Sequence, residues 1–513
     1  MIFFRIPRER FSDVALLVGT LMICMPIAWP RPSPPPRGDP RGDGLPSVTL
    51  LVYGLQGQFY LQSLVFTASG FDLGVRDAMK RFGGFNISLI YVPTADILVC
   101  QDTAAYFDRV SHYYYTQFLP QTPSSSIAII YPGCDESTTL AQLGREWNAL
   151  VMTTGTIYSN LRDRVLFPTT VALGPRQYEI YGVFLIRLFA KFNWTSVGLI
   201  YDISDRVSFN RIVSSRIQAY LRRNAPSVQL HSFPLDCGVG KKETDYAEVE
   251  SRKMGWDHGE IAWISMDVPQ NSLGPLLWQM HDTNDEIALA SFRSVFKLES
   301  CARKPTAKYD ALLEEFRTRS ERIYNVTFAP NAGPSEYVFA AYSAVMSLAQ
   351  VLVQSLNASN KIGNGRDIAQ RFLNTTFDDP AAGDMFVDDA GERQRPLCLA
   401  DFDMEFRTFR EVLSYLRGKS LNEIDRVGNN SIDWSTPDGK PPPNEPFCGF
   451  RNEKSACRDQ GYIVNIAAIL TTLACCLIIA GTALTYRRNR IDPDWWRVAQ
   501  NHLNSMECQL ISR

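Results

Sequence analysis

Short apolar segments alternate with longer amphipathic segments along the first third of the chain. The segments VTLLVYG, NISLIYV and SIAIIYPG are rich in Val, Ile and Leu, which is typical of strands buried on both faces. Residues 61–82 and 103–118 lie between them and carry apolar positions at helical spacing. Strands joined by helices in this way predict a parallel sheet with helices on both faces.

The same alternation begins again after Pro175. A helix over residues 178–192 leads to the strand SVGLIYD, and a helix ending at Arg223 leads to the strand VQLHSFPLD. The strand EIAWISMD, a helix ending at His281 and the strand EIALASF follow. Two successive doubly wound units predict an α/β protein with two lobes around a cleft, which is the usual place for a ligand.

Helices are also predicted at 309–325 and 334–356, and a hairpin-like region with Ala390-Gly391 at its turn follows. Asp388 and Asp389 in that region have the setting of solvated turn acids. The return of strands indicates that the chain crosses between the lobes more than once. We assign lobe I to about 47–174 plus part of 330–380, and lobe II to about 175–330 plus 380–430.

Two further apolar segments lie outside the lobes. Residues 14–28 follow a region with three arginines, which predicts a signal peptide over 1–28, and a Pro-rich linker occupies 29–46. Residues 463–486 carry no charge over a length that can cross a hydrocarbon core of about 30 Å. We therefore predict an ectodomain over 47–445, a juxtamembrane disulfide loop over 446–461, a transmembrane helix over 462–486 and a cytoplasmic tail over 487–513.

Glycosylation sequons indicate the orientation of this crossing. Six N-x-S/T sequons precede the apolar run and none follows it: Asn86, Asn193, Asn325, Asn357, Asn374 and Asn429. Arg487, Arg488 and Arg490 follow the run directly, and basic residues favour the cytoplasmic side. The sequence predicts a single-pass type I plasma-membrane protein with its N-terminus outside the cell.

Charge and motifs narrow the function. A formal net charge of -2 gives no sign of a nucleic-acid surface. The sequence has no H-E-x-x-H, G-x-S-x-G or C-x-x-C motif, so we predict no catalytic residue and no metal site. Seven of the eleven cysteines lie between the leader and the span, where an oxidising compartment favours disulfides. Their odd number leaves one thiol free or paired between chains.

Five motifs resemble the natriuretic peptide receptors and the wider set of single-span receptor guanylyl cyclases. WSTPDGKPPPNEPFCGFRNEKSAC at 434–457 resembles their membrane-proximal segment, and FVDDAGERQRP resembles their glycine-turn hairpin. FNWTSVGLIYD resembles the entry strand of their second lobe, and YPGCD at 131–135 resembles their glycine-cysteine turn. DWWRV at 494–498 is similar to the step into the kinase-like domain of the cyclases.

The resemblance implies a type I periplasmic-binding-protein-like fold, a homodimer or a heterodimer with a related receptor, and an extracellular ligand that is a peptide or a small molecule. It implies disulfides from Cys100 to Cys134 and from Cys448 to Cys457. Cys237 and Cys301 form an alternative pair in place of the family's mid-domain disulfide, which leaves Cys398 for an interchain bond or a free thiol.

Two ligand sites are also implied by the resemblance. Phe209 falls near a position that contacts peptide in the family. Gly133 and Cys134 fall at a chloride site whose third position maps on or near Pro93, and chloride is the one cofactor that the resemblance suggests.

The predicted tail of 27 residues is too short for a kinase-like or cyclase domain, each of which needs well over about 100 residues. The sequence therefore predicts a receptor without a cyclase domain of its own, clearance-like or regulatory. The alternative is a truncated form or fragment of a receptor guanylyl cyclase that makes cyclic GMP from GTP, which DWWRV favours. A third hypothesis is adhesion through the Arg-Gly-Asp tripeptides at 37–39 and 41–43.

Overall fold

The computed structural model describes a defined set of residues. These are 2–4, 45–57, 60–121, 126–133, 137–155, 159–175, 179–203, 208–235, 261–266, 283, 285–301, 306–326, 328, 334–381, 383–415, 424–436, 438–445 and 460–490. The chain divides into two compact units, Met1–Asn444 and Glu445–Arg513, and each is described by itself.

A five-stranded parallel sheet, the first sheet, has the strand order β3-β2-β4-β5-β6. Its strands are β2 (Ser47–Val52), β3 (Asn86–Tyr91), β4 (Ser126–Tyr131), β5 (Leu150–Thr153) and β6 (Thr170–Ala172). Val48 and Leu50 of β2 point into one core and Leu51 into another, because successive side chains of a strand alternate between faces. Both faces are therefore buried, as the continuous apolar strands predict.

Helices cover the two faces of the first sheet. They are α1 (Leu64–Arg81), α2 (Cys100–Thr103), a 3₁₀ turn (Ala104–Tyr106), α3 (Asp108–Tyr113), a π-helical turn (Tyr114–Phe118), α4 (Leu119–Gln121), α5 (Ser137–Trp147), a second 3₁₀ turn (Ser159–Arg162), α9 (Ala307–Tyr324), α10 (Glu336–Ser359) and α11 (Gly365–Phe372). We assigned α9 to lobe II, but its Leu312 and Phe316 pack in the core beside α1, so this boundary was wrong.

Helix α10 is the central element of that core. It is apolar and long enough to pass for a membrane span, but the most apolar part of it is 83% buried inside the protein. It lies against α1 at very close range, since a Cβ atom on Gly70 would stand 2.2 Å from the carbonyl oxygen of Val338. Gly70 and Gly74 thus allow the two helix backbones to approach.

The second sheet has eight strands in the order β16-β15-β14-β10-β9-β1-β7-β8. They are β1 (Ile2–Phe4), β7 (Ser196–Asp202), β8 (Gln229–Leu235), β9 (Trp263–Met266), β10 (Val295–Ser300), β14 (Leu397–Asp403), β15 (Thr408–Tyr415) and β16 (Asp425–Arg426). Strands β8, β7, β1, β9 and β10 run parallel, whereas β14, β15 and β16 pair antiparallel. Three helices pack against this sheet: α6 (Glu179–Phe192), α7 (Ser208–Asn224) and α8 (Asp285–Phe292).

Two features of the second sheet differ from the sequence predictions. EIALASF is helix α8, and the strand comes after it at β10, so its assignment as a strand was wrong. Its buried residues Ala288, Ser291 and Phe292 follow helical spacing. Ile2–Phe4, within the predicted leader, pairs in parallel with both β7 and β9. Cleavage of a leader stays a prediction.

A small antiparallel sheet links the two larger ones. It contains β11 (Thr375–Asp379), β12 (Gly383–Val387) and β13 (Arg393–Gln394). Its turn contacts the first sheet through a bridge between Ala172 and Glu392, and β14 of the second sheet begins three residues after β13 ends.

The unit Glu445–Arg513 contains the helix α12 (Gln460–Arg490). Its residues 468–490 are apolar enough to cross a membrane, and none of that stretch is buried inside the protein. Length and composition are compatible with the predicted span but do not distinguish it by themselves, since the buried α10 passes the same test.

Candidate functional site

The turn between β12 and β13 presents two buried carboxylates. Asp388 Oδ1 accepts the backbone N–H groups of Ala390, at 3.0 Å, and of Glu392, at 2.8 Å. Gly391 has a φ of +80°, a conformation that glycine adopts without a steric penalty. The Asp-Asp-Ala-Gly-Glu sequence thereby folds into a tight turn that directs Glu392 inward.

Arginines from two different layers meet at Glu392. Arg162, in the 3₁₀ turn after β5, donates through Nη1 to Glu392 Oε2 and through Nη2 to Asp388 Oδ2 at 3.2 Å. Arg216, on α7, donates through Nη1 to Glu392 Oε1 at 3.4 Å and through Nη2 to Oε2 at 3.3 Å. We call these four residues, Arg162, Arg216, Asp388 and Glu392, the Glu392 junction. It joins elements of the first sheet to a helix of the second.

The electrostatics of the junction keep it charged. Glu392 is 4% exposed, and burial alone would raise the pKa of its carboxyl group. The positive charges and hydrogen bonds of Arg216 and Arg162 outweigh burial, so the pKa of Glu392 lies below its usual range. The nearby Arg164 donates to the backbone oxygens of Pro168 and Thr170 and fastens the same loop. The junction is therefore a fixed ionic contact at neutral pH.

A second contact fastens residues 432–436 and 438–444 to the second sheet. We call this stretch the membrane-proximal segment, after the receptor motif that its sequence resembles from Trp434 onward. Trp434 is 9% exposed and lies in the second-sheet core. Its ring centroid is 4.8 Å from that of Phe192, 5.9 Å from Trp194 and 5.3 Å from Phe296. An aromatic cluster of this size contributes substantial apolar burial.

The far end of the segment closes over the start of β7. Asn444 Oδ1 accepts the backbone N–H groups of Thr195, at 2.5 Å, and of Ser196, at 3.0 Å. Trp194 Nε1 donates to the carbonyl oxygen of Pro442 at 2.9 Å. The segment thus satisfies the backbone donors of Thr195 and of Ser196, the first residue of β7.

The predicted glycosylation sites share one property. All six asparagines are exposed to solvent: Asn86, Asn193, Asn325, Asn357, Asn374 and Asn429. Asn193, Asn325 and Asn374 also have positive φ angles at the ends of helices or turns. Exposure is what glycan attachment requires, and occupancy of these sites stays a prediction.

The described cysteines pair differently from the alternative in the sequence analysis. Cys301 and Cys398 form a disulfide between β10 and β14, with Cα atoms 4.8 Å apart. The pairing of Cys237 with Cys301 was therefore wrong, and so was the assignment of Cys398 to an interchain bond or a free thiol. Adjacent antiparallel strands bring these two residues together, although 97 positions separate them. Cys475 and Cys476 are exposed free thiols on α12.

Other predicted residues lie partly or wholly outside the described structure. Cys134, Cys237, Cys448 and Cys457 are outside it, as are the Arg-Gly-Asp tripeptides and DWWRV. Cys100 begins α2 and Phe209 lies in the first turn of α7, but their side chains are not among those described. Pro93 is exposed, and its carbonyl oxygen accepts a hydrogen bond from Arg109.

Gly133 and its surroundings bear on the suggested chloride site. Gly133 has a φ of +108° and packs against the backbone of Gly155, where a Cβ atom would stand 2.9 Å from the Gly155 Cα. Chloride binding there stays a prediction.

One candidate metal cluster arises among the described residues, formed by Cys301, Cys398 and Glu411. The two sulfur atoms are bonded to each other, so neither offers a thiolate ligand.

Sequence reasoning missed the junction. Asp388 was interpreted as a solvated turn acid, but it is 3% exposed and bound to Arg162, so that interpretation was wrong, whereas the neighbouring Asp389 is exposed. A signal was present in the hairpin, where acids and arginines alternate around a glycine. Their partners Arg162 and Arg216 lie 230 and 176 positions away, so no local pattern could identify them.

Comparison with known proteins supports a relationship to one group of receptors. No protein-family model matches the chain. Over 262 residues, 49% of the chain, it is 27% identical to the receptor-type guanylate cyclase gcy-28 of Caenorhabditis elegans. The matched region spans only 20% of that relative's length. The mixed α/β architecture with parallel sheets is compatible with a periplasmic-binding-protein-like fold. Together these findings support the receptor guanylyl cyclase family and a receptor-type ectodomain, and they do not reach the natriuretic peptide receptor subfamily.

Proposed function

We propose that this protein is a single-span cell-surface receptor whose two sheets form lobes around an extracellular ligand, peptide-like by resemblance. The observation that carries the proposal is the attachment of the membrane-proximal segment to the second-sheet core through Trp434 and to the start of β7 through Asn444. Because α12 follows this segment in the chain, we infer that a ligand that shifts the second sheet acts on α12 through the segment. The similarity to a receptor-type guanylate cyclase supports the same role.

The ligand site is proposed at the carboxyl ends of the parallel strands, where α/β sheets usually bind ligands. The Glu392 junction lies beside this edge in the first sheet, since Arg162 follows β5. It would restrain the two lobes relative to each other, so that ligand binding selects among their arrangements.

The proposed transmission can be tested with the full chain carrying fluorescent donor and acceptor proteins at its C-terminus. A library of extracellular peptides and small molecules is added to cells, and binding and energy transfer between copies are measured together. We expect Trp434→Ala to reach the surface and bind an active peptide as the wild type does, but to lose the change in energy transfer. Val165→Ala, at an exposed position outside this segment, serves as a control. A Trp434→Ala variant that transmits as well as the wild type would contradict the proposal.

Dimerisation is part of the proposal, and an aromatic face on the first sheet is its most suitable surface. Tyr114 stacks on Trp147 with centroids 4.1 Å apart, and beside them Tyr115 and Leu119 are 56% and 49% exposed. The stretch of chain that supplies these side chains contains no sequon between Asn86 and Asn193. A second copy of the chain would cover this face by two-fold pairing.

Leu119→Glu should lower the dimer fraction in analytical ultracentrifugation, whereas Val165→Glu, at another exposed apolar position, should not.

Cyclase activity separates this proposal from its alternative. The chain spans a fifth of its relative's length, so production of cyclic GMP is a question for cells and transcripts. If the cyclic GMP level stays constant with every bound ligand in cells that express these 513 residues, this chain acts as a receptor without cyclase activity. Transcripts that continue into kinase-like and cyclase sequence would favour a receptor enzyme.

A further inference from the structure

A buried carboxyl group lies under the membrane-proximal segment. Asp401, on β14, is 3% exposed, and its Oδ2 accepts the backbone N–H of Asp433 at 2.7 Å. Its Oδ1 is also buried and accepts no hydrogen bond from any described residue. The segment thus supplies a donor to Oδ2 only, and a buried charge with one oxygen left without a donor is incompletely compensated.

The charged groups around Asp401 compensate its ionised form only in small part. Arg410, across the pairing with β15, binds Asp403 at 3.3 Å, and on the β10 side the paired residue is Phe296, which is apolar. Asp433 brings a second carboxylate from the segment, and that carboxylate pairs with Arg293 at 3.2 Å.

These surroundings shift the titration of Asp401. Burial raises the pKa most, and the Asp433 charge adds to this effect, while the backbone N–H groups of Asp433 and Phe402 and the Arg410 charge lower it. The pKa of Asp401 rises from its ordinary 3.8 to about 7.

The same residues hold the segment in place. Besides the Asp433 N–H, Ser435 Oγ donates to the carbonyl oxygen of Arg293 at 2.9 Å, and Ser435 N–H donates to Asp433 Oδ1 at 3.1 Å. Trp434 lies between these two contacts in the aromatic cluster. Detachment of residues 433–435 would open Asp401 to water.

We propose that protonation of Asp401 fastens the membrane-proximal segment to the second sheet and that its ionisation loosens the segment. The attached state binds the proton more tightly than the detached state, in which the carboxyl group is hydrated. By linkage, this contribution to attachment is fully present below about pH 4 and is lost as the pH rises through about 7. The extracellular face of the receptor would thus loosen its link to the membrane helix in alkaline medium.

The consequence for signalling rests on the proposed function, but the attachment itself does not. Hydrogen–deuterium exchange of the full chain in lipid nanodiscs measures it directly, without a ligand. Protection factors of peptides covering residues 430–436 are taken at pH 6 and pH 8, each corrected with an unstructured peptide of the same sequence. We expect the protection factor to fall about tenfold from pH 6 to pH 8.

Two variants isolate the carboxyl group. Asp401→Asn, which keeps an oxygen for the Asp433 N–H, should give equal protection at both pH values. Asp438→Asn, an exposed carboxyl on the same segment, should keep the wild-type tenfold change. Equal protection of the wild type at both pH values would overturn the proposal, and so would a tenfold change that persists in Asp401→Asn.

Should Asp401→Asn fail to fold, the protection factors of the wild type from pH 5 to pH 9 still test the proposal, because it requires a single transition near pH 7. If the protection of residues 430–436 shows this transition but no ligand changes the energy transfer between copies, only the proposed function is contradicted.

Discussion

Glu392 and Asp401 are two buried carboxyl groups with opposite surroundings. Glu392 meets two arginines, and its pKa falls although burial opposes that shift. Asp401 meets two backbone N–H groups and a second carboxylate but no paired cation, and burial raises its pKa to about 7. Both carboxyl groups are buried, so the charged and hydrogen-bonding groups around each one determine the direction of its pKa shift. The first group is a permanent ionic contact between layers, whereas the second titrates within the physiological range.

The two groups also differ in what they connect. Glu392 holds an element of the first sheet and a helix of the second at one point, through side chains from three separate parts of the chain. Asp401 holds only a short segment through that segment's backbone. Loss of Glu392 should therefore affect the contact between the two sheets, and ionisation of Asp401 should affect only the attachment of residues 433–435.

Removal of Glu392 should produce the largest effect. Glu392→Ala leaves Arg162 and Arg216 without their shared carboxylate, and breaking a buried ion pair costs about 3–5 kcal/mol of unfolding free energy. Denaturant unfolding of the purified full chain in detergent, followed by tryptophan fluorescence, measures the loss. The loss should be the same at pH 6 and pH 8, because the pKa of Glu392 lies below this range.

Asp389→Ala is the matched control for this change. Asp389 lies in the same turn but is exposed, so its replacement should alter the unfolding free energy by no more than about 0.5 kcal/mol. Similar losses in the two variants would show that the turn, and not the ionic contact, provides the stability.

The pH dependence of stability should separate the two carboxyl groups next. A group with a raised folded pKa stabilises the fold below its unfolded pKa and loses that contribution as the pH rises through the folded value. The difference in unfolding free energy between wild type and Asp401→Asn should therefore change by about 1.4 kcal/mol between pH 6 and pH 8. Glu392 acts in the opposite direction. Its carboxylate stabilises the fold at neutral pH, and this contribution is lost only in acid, as the pH falls through the lowered pKa of the group. A constant difference over this interval would refute the assigned surroundings of Asp401.

Sequence patterns predicted the layers of this protein better than its contacts. Apolar runs such as Leu50 and Leu51 in β2 identify strands buried on both faces, because both neighbouring side chains need an apolar partner. EIALASF was mistaken for a strand because a short apolar run has no clear period. Helix α9 was assigned to the wrong lobe, since an amphipathic face does not state which sheet it will cover.

The two carboxyl groups show where sequence information ends. Asp401 lies within LCLADFD, and an acid inside a strand of apolar residues is a visible sign of burial. The sign does not say whether a cation will be near. For Glu392 the answer came from Arg162 and Arg216, and for Asp401 from Asp433, all of which reach their partners through the fold. Charge pairing at long range requires the structure.

The smallest expected effect comes from Asp433, which supplies both the donor and the repulsive charge at Asp401. Asp433→Asn keeps the backbone N–H and the side-chain oxygen that accepts from Ser435, but it removes the negative charge. The carboxylate of Asp433 is 54% exposed and already paired with Arg293, so solvent screens its charge. Removal of this charge should change its electrostatic interaction with Asp401 by only about 0.5 kcal/mol. The pKa of Asp401 should fall slightly, and the hydrogen-exchange transition of residues 430–436 should move to lower pH by less than one unit. A transition that moves to higher pH would mean that the Asp433 charge stabilises ionised Asp401 through Arg293, and burial alone would then account for the difference between the two carboxyl groups.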